Sequence, residues 1–137
     1  MNARGGYAFL VEMTAVILFF ALAATAVITL FVGADKRAGE AAELSGAILA
    51  ASSAAELVRT SISPEADFTV RYGAVEAEGG YEAWLDPSFL PGGLQEYILR
   101  LECERAGGMC EMTVSVREKD GEAIYSLSCA RFMGGGA

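Results

Sequence analysis

The chain reads as an α+β protein, a long N-terminal helix followed by a small antiparallel sheet. Three observations predict this class. Residues 13–34 form a run of 22 residues without a charge. A helical apolar rhythm continues beyond that run to the first proline, Pro64, as one face of a helix requires. Past Pro64 the rhythm changes to period two, with a turn signal at Asp120-Gly121, which is the pattern of hairpins. At 137 residues the chain has room for one domain and little more.

The first element is the apolar run. About 20 apolar residues suffice to cross a bilayer as a helix, and 13–34 contains no proline. It reads as a membrane-inserted signal anchor, so the membrane is an expected partner. Ala21-Leu22-Ala23 imitates the small-residue site of a cleaved secretory signal, but the run continues through Val32, which favours an anchor. Glu12 stands directly ahead of the run and is the one charged side chain from Gly5 to Ala34. A charged acid costs about 2.5–3.5 kcal/mol at the centre of a membrane helix and less near its end. Glu12 is therefore either a boundary charge that reaches headgroup water or an acid awaiting a positive partner.

The charge lies elsewhere. Residues 1–34 hold one arginine and one glutamate, so the whole formal charge of −8 belongs to 35–137. Such a portion repels nucleic-acid phosphates and reads as solubility with a weak preference for cations. Histidine is absent, which removes the usual general base, nucleophile activator and commonest metal ligand. No phosphate loop, dinucleotide fingerprint or nucleophile motif occurs. The expectation is a protein that is not an enzyme and takes no cofactor.

The helix should continue into water. Leu44, Ile48, Ala51, Ala55, Val58 and Ile62 step by 4, 3, 4, 3 and 4, one helical face. Pro64 ends the helix at about Ser63. From about residue 10 to 63 it would extend roughly 80 Å. The stripe is assigned to the chain's own sheet rather than to a coiled coil. Gly33, Gly39 and Gly46 each cost about 1 kcal/mol against alanine and mark flexible points or surfaces for close packing.

In the sheet, 67–73 and 80–86 are strand candidates, 87–93 is a loop, and 94–103 leads into a third strand. Residues 110–132 read as a hairpin turning at Asp120-Gly121, with Lys119 facing Glu122, Val116 facing Tyr125, Val114 facing Leu127 and Met112 facing Cys129. With 104–109 as the preceding loop, Cys103 faces Cys110, Leu101 faces Met112 and Leu99 faces Val114. The core face is then Tyr97, Leu99, Leu101, Met112, Val114, Val116, Tyr125 and Leu127, with all three cysteines on it. Cys103 and Cys110 form a disulfide candidate; three packed thiols are the alternative. Without histidine or a close cysteine pair, no zinc site is expected. Residues 76–82 are read as a solvated acidic turn rather than a calcium loop. Trp84, Phe89 and Tyr97 are grouped as an aromatic cluster under the loop or an exposed patch, and the glycine-rich end as an unstructured tail.

The beginning of the chain resembles a known family. A short basic leader ending in glycine, "MNARGG", then an aromatic residue, aliphatics and a glutamate ahead of a membrane helix, "YAFLVE", is similar to the type IV pilin class. That class includes major and minor pilins and the pseudopilins of type II secretion and Gram-positive competence systems. The resemblance covers residues 1 to about 60 and carries the N-terminal methylation-type prepilin motif. It implies a leader of 1–6, a membrane and filament-core helix over 7–34, an amphipathic half over 35–63 and a head over 64–137. It implies cutting by a prepilin peptidase between Gly6 and Tyr7, then pairing of Glu12 with the new N-terminal amine of a neighbouring copy. Glu12 is sixth from Tyr7, where the family has its glutamate fifth; counted from Ala8 it is fifth. The helix also lacks the proline many pilins carry, which would fall near Ile28. The resemblance implies a structural subunit of a filament or pseudopilus, single-pass in the membrane as a precursor with its head outside the cytoplasm. The small head and the spacing at Glu12 point to a minor pilin or pseudopilin. The rival reading is a non-polymerising bitopic protein with a small extracytoplasmic scaffold or sensor domain.

Overall fold

The computed structural model describes residues 3–134. It contains helices α1 (Ala3–Thr60) and α2 (Pro64–Tyr72) and strands β1 (Val75–Ala77), β2 (Gly80–Leu85), β3 (Tyr97–Ala106), β4 (Met109–Glu118) and β5 (Ala123–Phe132). The strands form one antiparallel sheet in the order β1-β2-β3-β4-β5. The expected α+β class, a long helix and an antiparallel meander, is what the chain adopts. Two compact units divide at Ala41/Ala42, and α1 contributes residues to both. In the first unit every described side chain is exposed. Here α1 is long and apolar enough to cross a membrane.

In the second unit the final turns of α1 pack on the sheet, and the expected stripe is buried at Ala51, Ala55 and Val58 but not at Leu44, Ile48 or Ile62. Ala47, Ala51, Ala54, Ala55 and Val58 are buried, whereas Leu44 is 43% and Ile48 36% exposed. The sheet supplies the bulk, through Leu85, Leu99, Leu101, Met112, Val114 and Val116. A helix laid on so large a surface fits best through its smallest face. Ile62 lies past the helix end and is exposed. That end is closed by Arg131, which donates to the carbonyls of Ser61 and, at 3.5 Å, of Arg59, satisfying groups the helix leaves unpaired.

Residues 67–73 are helical, not a strand. Pro64 opens α2, Glu65 and Asp67 occupy its first turn, and Gly73 closes it at φ 64°, each a signal for that position. Phe68 is fully buried and its ring lies 5.1 Å from that of Tyr72, one turn on. The alternation of Phe68, Val70 and Tyr72 is thus not a strand pattern, since Val70 is exposed.

The β3–β4 register is offset by two from expectation. Gly107 and Gly108 both take positive φ, 59° and 79°, so the hairpin turns on two residues and 104–106 and Met109 join the strands. Leu99 therefore faces Val116, Leu101 faces Val114, and Cys103 faces Met112 rather than Cys110. A shift of two keeps every side chain on its face. On β4–β5, Val116↔Tyr125, Val114↔Leu127 and Met112↔Cys129 form as expected. Lys119 and Glu122 do not pair. The turn closes early, with Gly121 donating to the Glu118 carbonyl at 3.1 Å, and a bulge pairs Arg117 with Ala123. The extra residue lets Ile124 and Tyr125 both pack against the core. The acidic segment is a β1–β2 hairpin, with Ala77 opposite Gly80. Met133 is not a loose tail residue, because its N–H donates to Gly108 at 2.9 Å; 135–137 lie outside the described residues, as do the first two residues of the leader.

Candidate functional site

Gly6, Tyr7 and Glu12 all lie within the helical backbone of α1, and Tyr7 and Glu12 are exposed. The threonines of the apolar run are satisfied internally. The hydroxyls of Thr14, Thr25 and Thr29 donate to carbonyls one turn back, at 2.7, 2.9 and 2.8 Å, which lets them enter lipid at little cost. Glu12 has no such recourse. Its carboxylate makes no hydrogen bond or ion pair among the described residues. It is flanked by the exposed Phe9, Leu10, Val11, Met13 and Val16.

The three cysteines are free thiols on the α1-facing side of β3, β4 and β5. Cys103 and Cys129 flank Met112 in one row, and Cys110 sits in the next, between Arg105 and Arg131. Cys103 and Cys110 are thus diagonal neighbours. Burial, with the Cys110 thiol and the Glu65 carboxylate nearby, pushes Cys103 up to about 12. Burial also raises Cys129. Thiols held protonated are poor nucleophiles at neutral pH. Among the described residues, no three side chains of metal-ligating type converge to hold an ion.

A more elaborate constellation joins α1 to the loop after β2. The Asp86 carboxylate accepts the N–H groups of Ser88 and Leu90 at 2.8 and 3.0 Å, fixing a tight turn. Within it Phe89 takes φ 60°, a conformation rare for a bulky residue. Its ring stacks on Tyr97, centroids 4.2 Å apart, and presses against Gly46, where a Cβ would meet the ring at 2.4 Å. The Tyr97 hydroxyl donates to Glu43 at 3.0 Å. Trp84 does not belong to this cluster. Leu85 pairs with Tyr97, so Trp84 faces the opposite side of the sheet, 5.8 Å beneath the Lys119 ammonium. Of the aromatic group read from the sequence, Phe89 and Tyr97 come together and Trp84 stands apart. Of the three helix glycines read as flexible points or close-packing surfaces, Gly46 is the one a ring presses on; Glu43 carries no signal in the sequence that singles it out for this role.

Beside the Phe89–Tyr97 stack runs a cleft of about 560 Å³, lined by Leu49, Ala50, Tyr72, Phe89 and Leu90 among others. On the far face of the sheet Arg100 bonds Glu82 at 2.7 Å and Glu102 at 2.8 Å, with Arg117 3.5 Å from Glu82. Those carboxylates, Glu102 first, raise the Arg100 pKa further. Compared with known proteins, the chain matches no family model, no curated protein and no solved structure.

Proposed function

We propose that the chain is a structural subunit of a type IV pilus-like, type II secretion-like or competence-like filament, made as a precursor and cut by a prepilin peptidase. The observation that carries this reading is Glu12. It is a lone carboxylate, without a partner among the described residues, at the front of an apolar run whose threonine hydroxyls are bonded internally. A carboxylate and an amine attract strongly in low dielectric, while either alone is penalised. A neighbouring copy cut after Gly6 supplies that amine at Tyr7, and the pair sets how far one helix slides along the next. The head, a helix on an antiparallel meander, suits such a subunit and stays outside the cytoplasm. Its work is to pack and to display, not to catalyse.

The test compares the precursor with and without the peptidase. Terminal sequencing should show loss of the first six residues only when the peptidase is present; a start at Ala8 would place the cut one residue later. Glu12→Val should insert into the membrane normally and assemble poorly. An intact Met1 terminus together with undiminished function of Glu12→Val would replace the filament subunit by a simple bitopic anchor.

A further inference from the structure

β5 is the last strand of the sheet, and its outer edge pairs with no strand among the described residues. Which of its backbone groups are free follows from the β3–β4 turn. A two-residue loop makes Ala106 and Met109 a hydrogen-bonded pair. Met109, Glu111, Thr113 and Ser115 then turn their N–H and C=O groups to β3, and Cys110, Met112, Val114 and Val116 turn theirs to β5. Arg131, Cys129, Leu127 and Tyr125 answer them across the register. The free edge therefore belongs to Ser126, Ser128 and Ala130. Of the usual protections the strand has only a bulge, at Ile124 near its start, and none beside Ser126, Ser128 and Ala130. The strand has no proline, lysine or acid, and its one charge, Arg131, is engaged with the Ser61 carbonyl.

Two further features say what would pair there. The bond from Arg131 to the Arg59 carbonyl sets that side of α1 beside β5, and Ala55, Ile48 and Leu44 continue the side at helical steps. Ile48, Leu44, Tyr125, Leu127 and Cys129 are all only partly covered, apolar surface that an added strand would cover. On the opposite face Glu104 stands directly across from Glu111, and neither has an ion-pair partner among the described residues. Like charges so placed are destabilising. The next residue in that row is Ala130, whose methyl leaves the way open. A side chain opposite Ala130 on an added strand would start two strand spacings, about 9.6 Å, from Glu111, within a lysine's reach.

We propose that the β5 edge accepts an extended segment of a partner protein as a sixth strand. Its apolar residues alternate towards α1, and a lysine or arginine lies opposite Ala130. Main-chain bonds give the affinity and the alternate side chains the specificity; the acidic head draws the basic segment in. This holds whether or not the chain polymerises.

The test uses the full chain in detergent micelles and a dye-labelled peptide, Thr-Val-Lys-Val-Thr-Val-Thr-Val, followed by fluorescence anisotropy. Saturable binding is expected. Ser128→Pro removes the N–H that faces the free edge, a site where proline is tolerated, together with the exposed hydroxyl contact to Thr113 at 3.1 Å, and should weaken binding about tenfold or more. Glu111→Gln should weaken it about threefold for this peptide and leave unchanged a peptide with threonine in place of lysine. Should Ser128→Pro fail to fold, the Glu111→Gln comparison decides. Absence of saturable binding, equal affinity for Ser128→Pro, indifference to Glu111, or exclusion of the peptide because two copies pair through β5 would each overturn the proposal.

Discussion

The Tyr97 hydroxyl sits at the rim of the core and donates to Glu43 at 3.0 Å. Burial first, then that bond and the carboxylates of Glu43, Glu96 and Glu118, push its pKa from 10 up to about 12. The folded chain therefore holds this proton more tightly than the unfolded chain. The resulting stabilisation is fully present below pH 10 and is lost as pH rises through 12. Tyr97→Phe should cost about 1 kcal/mol at neutral pH, and the gap to the native chain should close between pH 10 and 12. Denaturant midpoints across that range check this; a gap that stays constant would mean the hydroxyl does not titrate in that window. The difference between the two chains isolates Tyr97 from Cys103, which also titrates high. Of the residues that matter locally, Glu12 was legible from composition alone, since one acid before 22 uncharged residues needs no fold to be noticed. Glu43 was not, and Gly46 only as one of three glycines open to close packing, because their roles depend on where a loop returns to the helix.

That return is a test of how elements constrain each other. Alanine normally gains about 1 kcal/mol over glycine inside a helix, but at position 46 its Cβ would meet the Phe89 ring at 2.4 Å. Gly46→Ala should therefore destabilise the head in the native background and stabilise it by about 1 kcal/mol in a Phe89→Ala background. Thermal melts of the four chains in this cycle check the sign reversal; the same sign in both backgrounds would show that the ring moves aside freely. The same dependence on neighbours explains what the sequence disclosed about the elements. Val114, Val116, Tyr125 and Leu127 alternate cleanly, and their register could be read residue by residue. The turn beyond them could not, since a bulge at Ile124 absorbs one residue without disturbing the alternation. The Gly107-Gly108 turn was legible in principle, as two glycines between alternating runs favour a two-residue hairpin; treating 104–109 as a loop gave the offset of two. At 67–73 seven residues allow period two and period four alike, and the deciding signals were Pro64 before and Gly73 after. The alanine face of α1 was legible in part, at Ala51, Ala55 and Val58 but not at Ala47 or Ala54. Leu44 and Ile48 look like core until the bulk of the facing sheet is known.

Across the whole molecule, all of the formal charge of −8 lies in 35–137, while the helix ahead of it carries one acid and one base. Copies brought together through their apolar helices must therefore bring like-charged heads together as well. Repulsion between exposed charges reaches about 30 Å at 0.01 M salt and about 8 Å at 0.15 M. A carboxylate–amine pair in apolar surroundings is screened far less. The two contributions therefore separate by ionic strength. For a subunit that assembles as proposed, the fraction of full-length protein sedimenting as polymer should rise across that salt range, because head repulsion fades while the Glu12 contact persists. Glu12→Val should lower the whole curve and leave its slope unchanged. If ion pairs between heads held the copies together instead, added salt would dissolve the polymer, and Glu12→Val would leave the curve where it was.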